Sequence, residues 1–65
     1  MFAVLVELRC VETGQLVYKE VVSLLSLRAA RQHLRDSIRS LSEGCRDAEM
    51  IIDYSIKRLR MTVED

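Results

Sequence analysis

Proline and tryptophan are absent from this chain of 65 residues, and glycine occurs only twice. Neither sign of charge is in excess, because ten Lys and Arg are balanced by ten Asp and Glu. The chain therefore lacks the positive surplus with which strongly basic domains bind nucleic acid or anionic lipid non-specifically. A composition of 49% hydrophobic and 31% charged residues is typical of a folded protein. The length allows one domain, residues 1–65, with a marginal core.

Long hydrophobic runs are also missing. No apolar stretch approaches the roughly 20 residues that cross a bilayer. The short run FAVLV lacks a basic flank and is followed at once by Glu7, so it predicts a strand rather than a secretory signal. We therefore expect a cytoplasmic protein without membrane attachment.

Residues that carry chemistry are few. Cys10 and Cys45 lack metal-ligand spacing, and we expect reduced thiols, with a disulfide as the less favoured alternative. His33 is the only histidine and is expected to be solvated, so no Ser or Cys has an identifiable His–acid set. No glycine-rich phosphate loop occurs. The sequence thus predicts no catalytic residue, metal, cofactor or small-molecule substrate, and we expect that the chain is not an enzyme.

The first third of the chain has the pattern of a β-hairpin. Strands are predicted near 2–11 and 16–22, with Gly14 free to adopt a positive φ between them. Apolar residues alternate along the first strand, which places one set on a single face: Phe2, Val4, Val6, Leu8 and Cys10.

A helix is predicted over about 26–43, capped by Ser23 or Ser26. Its apolar residues recur every three or four positions and form one stripe: Leu27, Ala30, Leu34, Ile38 and Leu41. Gly44 lies where a left-handed residue would end the helix.

The segment 47–60 has two interpretations. Alternation of apolar and polar residues favours a strand, since isoleucine and tyrosine are dense there. A change of parity then suggests a bulge near Lys57–Arg58. Helical spacing with Asp47 as a cap is the alternative, and the residues after 62 are expected to fray.

These elements predict an α+β domain with the order β-β-α-β. A right-handed crossover would put the third strand beside the first, in a three-stranded sheet of order 2-1-3 with one helix on one face. A β-hairpin with two helices is the alternative fold. The sheet would leave a second apolar face exposed, which predicts a homodimer or another partner at four residues: Ala3, Leu5, Val11 and Ile51.

Four arginines line one side of the predicted helix, spaced by three or four residues: Arg28, Arg31, Arg35 and Arg39. We call them the arginine ridge, which Arg46 could extend. The guanidinium groups could cover the core and pair with acids from the strands, contact an acidic protein, or contact a nucleic-acid backbone. Nucleic acid is the less favoured ligand, because the chain has only three aromatic residues for base stacking. A second basic cluster, KRLR at 57–60, is expected to protect a sheet edge.

The order of a hairpin, VVSLLSLRAARQHL and AEMIIDYSIKRL resembles the strand–helix–strand plan of small phage-encoded proteins that bind and inhibit larger host enzymes. That resemblance implies a protein-binding accessory role. The expected function is therefore a small interaction module, homodimeric, that binds and modulates a larger protein. The alternative is a nucleic-acid-binding module that uses the arginine ridge.

Overall fold

The computed structural model describes residues 1–45 and 49–60. It contains strand β1 (Phe2–Cys10), strand β2 (Leu16–Leu24), helix α1 (Leu27–Gly44) and strand β3 (Met50–Arg58). The predicted α+β domain of order β-β-α-β is thus confirmed. Within the segment that had two interpretations, Met50–Arg58 is a strand.

The three strands form an open sheet of order β2-β1-β3, with both neighbours antiparallel to β1. The register places Val4 between Val22 and Ile56, and Val6 between Glu20 and Tyr54. Since facing residues in antiparallel strands point to the same side, the register defines two faces. The helix covers the face that carries Val4 and Val6, and we call the other one the outer face.

The core lies between β1 and the helix. Val4, Val6 and Ala30 are fully buried, and Leu8 is nearly so. Partly buried side chains pack around this centre: Phe2, Leu24, Leu34, Leu41, Ile52 and Ile56. The alternating apolar residues of β1 therefore pack against the apolar stripe of α1, as predicted. The core that they form is small.

Helix α1 begins at a serine cap. Ser26 has extended backbone, and its Oγ accepts a hydrogen bond from the Ala29 N–H at 3.1 Å, so the second of the two predicted caps is the one formed. The prediction that Gly44 is left-handed is wrong. Gly44 is the last helical residue, and Cys45 ends the helix at φ −115° with its N–H bonded to the Leu41 carbonyl at 3.0 Å. A helix that ends without a positive φ has no need of glycine there.

The predicted bulge near Lys57–Arg58 is also wrong. Pairing between β1 and β3 runs without a shift from Phe2 opposite Arg58 to Cys10 opposite Met50. Leu59 lies beyond the end of β3, so the change in apolar–polar alternation at Leu59 does not require a bulge. The irregularity of the sheet lies in the hairpin instead, where Arg9 pairs with Leu16 and Leu8 with Tyr18.

The hairpin connection contains the positive φ that was predicted, at Gly14 with φ +71°. Its N–H donates to the Cys10 carbonyl at 2.8 Å. The possible extension of the arginine ridge by Arg46, the Asp47 cap and the fraying tail lie outside the described residues.

Candidate interaction surfaces

The arginine ridge lies on an open side of helix α1. All four of its arginines are exposed. At about 100° per residue, the ridge is on roughly the opposite side of the helix from His33 and Ser37, whose side chains contact Glu20 on β2. The arginines therefore point away from β2. Part of the ridge borders an open depression of about 530 Å³, lined by Leu27, Arg28, Arg31, Gln32 and Arg35.

No carboxylate of the described residues lies within ion-pair distance of the ridge. The ion pairs found in this part of the chain are Arg9 with Glu7, at 3.2 Å, and His33 with Glu20. Asp36, the nearest acid on the helix, accepts instead from Gln32 Nε2 at 3.1 Å. The alternative in which acids from the strands pair with the ridge is not met among residues 1–45 and 49–60.

The outer face carries three of the four residues assigned to it from sequence. Ala3 and Leu5 are half-buried on β1, and Ile51 on β3 is 49% exposed. Val11 lies past the end of β1, where its N–H donates to the Glu49 carbonyl at 3.1 Å. The most exposed apolar residue of this face is Val21, at 62%, opposite Leu5. Sequence reasoning missed Val21, although its alternation with Val22 in β2 could have assigned it.

The outer face also carries charge in a defined order. The register aligns Lys19, Glu7 and Asp53 in one row across β2, β1 and β3. Arg9 follows Glu7 on the same face of β1 and pairs with it. Lys57 lies on the same face of β3, so the β2 edge carries one positive charge and the β3 edge carries one charge of each sign.

A polar cluster between the sheet and the helix was not predicted. Glu20 is on the helix-facing side of β2 and accepts hydrogen bonds from Tyr18 Oη at 2.7 Å and Ser37 Oγ at 3.4 Å, besides its contact with His33 Nε2. An open depression of about 240 Å³ borders the cluster. The sequence contained only a weak signal for this cluster. Glu20 alternates with Val22 and Leu24, which places it on the helix-facing side of β2, and His33 and Ser37 are one helical turn apart.

Hydrogen bonds set the titration of this cluster. The Tyr18 hydroxyl, followed by His33, lowers the pKa of the Glu20 carboxyl below its ordinary value, because both stabilise the carboxylate. The same bond raises the pKa of the Tyr18 hydroxyl. Glu20 is therefore held as an anion.

The cluster differs from the relay of a nucleophilic enzyme. Ser37 Oγ lies 3.4 Å from His33 Nε2, and Glu20 contacts that same nitrogen. In a relay, the acid orients one ring nitrogen and the hydroxyl contacts the other. The geometry is that of a structural bridge between β2 and α1.

Both cysteines are free and half-buried. Backbone and hydroxyl hydrogen bonds from Thr13, with a smaller contribution from the Glu12 backbone, lower the pKa of the Cys10 thiol. Among the described residues, no three or more His, Cys, Asp and Glu side chains are grouped to hold a metal ion. Within the same residues, no helix is both long enough and apolar enough to cross a membrane.

Comparisons with protein-family models, curated proteins and solved structures found no match for this chain. The description of its surfaces therefore depends on their geometry.

Proposed function

We propose that this chain is a small protein-interaction module that acts as a homodimer and modulates a larger protein. In this proposal, the arginine ridge contacts an acidic surface of that protein. The observation that carries the proposal is the exposure of all four ridge arginines, without a carboxylate partner among the described residues.

Charge segregation supports a ligand at the ridge. The chain is neutral as a whole, yet Glu7 and Glu20 are engaged with Arg9 and His33 away from the ridge. From Arg28 to Arg39 the ridge extends about 16 Å along the helix, at 1.5 Å per residue. Guanidinium groups bind carboxylates in a two-pronged geometry, and such pairs give both orientation and specificity. Inhibition would follow if the ridge covered a functional surface of the partner.

Nucleic acid is the second candidate, because guanidinium groups fit phosphates equally well. Overall neutrality weighs against it, since phosphate-backbone binding depends on a surplus of positive charge. An acidic protein surface, with discrete carboxylates, is the better match.

Two labelled probes of equal formal charge test the proposal by fluorescence anisotropy: a glutamate-rich peptide and a single-stranded oligonucleotide. We expect the peptide to bind more tightly at physiological salt, and the double substitution Arg31→Ala/Arg35→Ala to weaken it by about tenfold or more. Arg58→Ala, an exposed arginine outside the ridge, is the matched control and should bind as the unmodified chain does.

Tighter binding of the oligonucleotide, with a salt slope that decreases by about one for each arginine removed, would favour the second candidate. Binding of both probes that is the same with and without the two ridge arginines would contradict both candidates.

A further inference from the structure

We propose that two copies of the chain pack outer face to outer face, about a two-fold axis that runs parallel to β1. In this arrangement, Lys19 of one copy lies against the partner's Asp53, and the reverse. The inference rests on the homodimer of the proposed function and gives it a surface and a register.

The need for a second layer follows from the fold. Covering exposed apolar side chains with a second layer is favourable, and helix α1 covers only one side of the sheet. On the other side, Val21 and Ile51 are 62% and 49% exposed, beside the half-buried Leu5. A second copy supplies an identical face of the same size.

The charges of the outer face identify a second copy as the occupant. Rotation about an axis along β1 leaves β1 above β1 and exchanges β2 with β3. The row Lys19–Glu7–Asp53 is then opposed by its own reverse, so each lysine meets an aspartate and Glu7 meets the partner's Glu7. Glu7, near the axis, already has Arg9 at 3.2 Å. The charged row is thus complementary to itself at its two ends, where Lys19 meets Asp53.

The apolar residues follow the same symmetry in part, because Val21 lies over the partner's Ser55. Leu5 lies on the central strand and meets the partner's Leu5. Leu16 and Ile51 stand opposite Arg9 on the two edge strands, so the rotation places Leu16 over the partner's Ile51. An axis perpendicular to the strands through the charged row would instead stack Lys19 on the partner's Lys19. The same axis through the Leu5 row would oppose Asp53 to the partner's Lys57 and leave Lys19 over the partner's Ser23, so the effect of Lys19→Asp distinguishes it from the axis along β1.

The size of the face limits the strength of the dimer. Three nine-residue strands cover about 14 by 30 Å, or roughly 420 Å² per copy and 840 Å² in total. That is below the usual range of about 1,200–2,000 Å² for stable interfaces. We therefore expect dissociation constants in the micromolar range, strengthened at low salt by the two charge pairs.

Sedimentation equilibrium of three chains tests the arrangement: the unmodified chain, Lys19→Asp and Asp53→Lys. Each single substitution sets like charges against each other twice in the dimer, so its dissociation constant should rise by about tenfold or more. Within one copy, Asp53→Lys places a lysine beside Glu7 and removes an acid–acid neighbour, so this variant should keep its fold. Circular dichroism checks folding.

An equimolar mixture of the two variants gives the sharpest readout. In the mixed dimer, both positions again carry opposite charges, so association should return to nearly the unmodified strength. Asp36→Lys, an exposed acid on helix α1 outside both the ridge and the outer face, is the matched control that should leave the dimer unchanged.

A monomer at millimolar concentration would overturn the proposal, and so would a dimer that neither substitution weakens, such as one paired along strand edges. Ridge-dependent probe binding by a monomer would retain the ridge part of the proposed function and reject this dimer. A dimer that the two substitutions weaken, in a chain that binds neither probe, would retain this dimer and reject the ridge part of the proposed function.

Discussion

Glu20 is the only carboxylate on the helix-facing side of the described strands. It lies beside the fully buried Val6, where an unpaired charge would be costly. Its side chain is 19% exposed, and three donors surround it, from Tyr18, His33 and Ser37. The cluster therefore fixes the helix against β2 while it keeps the acid hydrogen-bonded.

The lowered pKa of Glu20 predicts a dependence of stability on pH. Because the carboxyl pKa is lower in the folded chain, the contribution is complete above the ordinary value of 4.5 and is lost as the pH falls through the lowered pKa. Glu20→Gln should reduce the free energy of unfolding at pH 7 by about 1 kcal/mol. Urea titrations at pH 7 and pH 3 should show the difference from the unmodified chain shrinking at the lower pH.

Glu12→Gln is the matched control, since Glu12 is exposed in the hairpin turn. This substitution should leave the free energy of unfolding unchanged at both pH 7 and pH 3. A Glu20→Gln deficit of equal size at pH 7 and pH 3 would show that the lost charge is not the cause.

At the scale of elements, the start of helix α1 depends on one hydroxyl. Ser26→Ala removes the acceptor for the Ala29 N–H, and we expect it to lower the free energy of unfolding by about 1 kcal/mol. Ser23→Ala is the matched control, because Ser23 is an exposed residue of β2 opposite Ala3 and caps nothing. Urea denaturation of both variants measures the difference. Equal losses of unfolding free energy in the two variants would show that the Ser26 hydroxyl does not cap the helix.

Sequence patterns were sufficient for the elements and their order. Alternation in β1 and the three–four spacing in α1 each depend on nearby residues, and a crossover after a hairpin leaves few topologies. The helix end at Gly44 and the position of the bulge depend on backbone conformations that the residue types permit but do not require. Sequence patterns therefore do not determine where the helix ends or where the bulge lies.

The surfaces were predicted less completely for the same reason. The ridge follows from spacing within one helix, and so it was named in full. The contact of Glu20 with His33 joins residues 13 apart in the chain and depends on how the helix lies on the sheet. The row Lys19–Glu7–Asp53 depends on the register of three strands, which no single segment determines.

At the scale of the whole molecule, one helix and one sheet layer leave two surfaces outward. Only Val4, Val6, Leu8 and Ala30 are buried in the described residues. One outward surface is charged and lies on the helix, and the other combines apolar and charged residues and lies across the sheet. A chain of this size places most of its side chains where a partner can reach them.

The central claim is that the arginine ridge binds a protein. Affinity capture from the native host, followed by mass spectrometry, tests it most directly when the unmodified chain, Arg31→Ala/Arg35→Ala and Arg58→Ala are compared with and without nuclease. We predict a protein that the unmodified chain and Arg58→Ala recover equally, that nuclease treatment leaves in place, and that the double variant recovers about tenfold less. Equal recovery by all three chains, or loss of the captured protein on nuclease treatment, would contradict the claim.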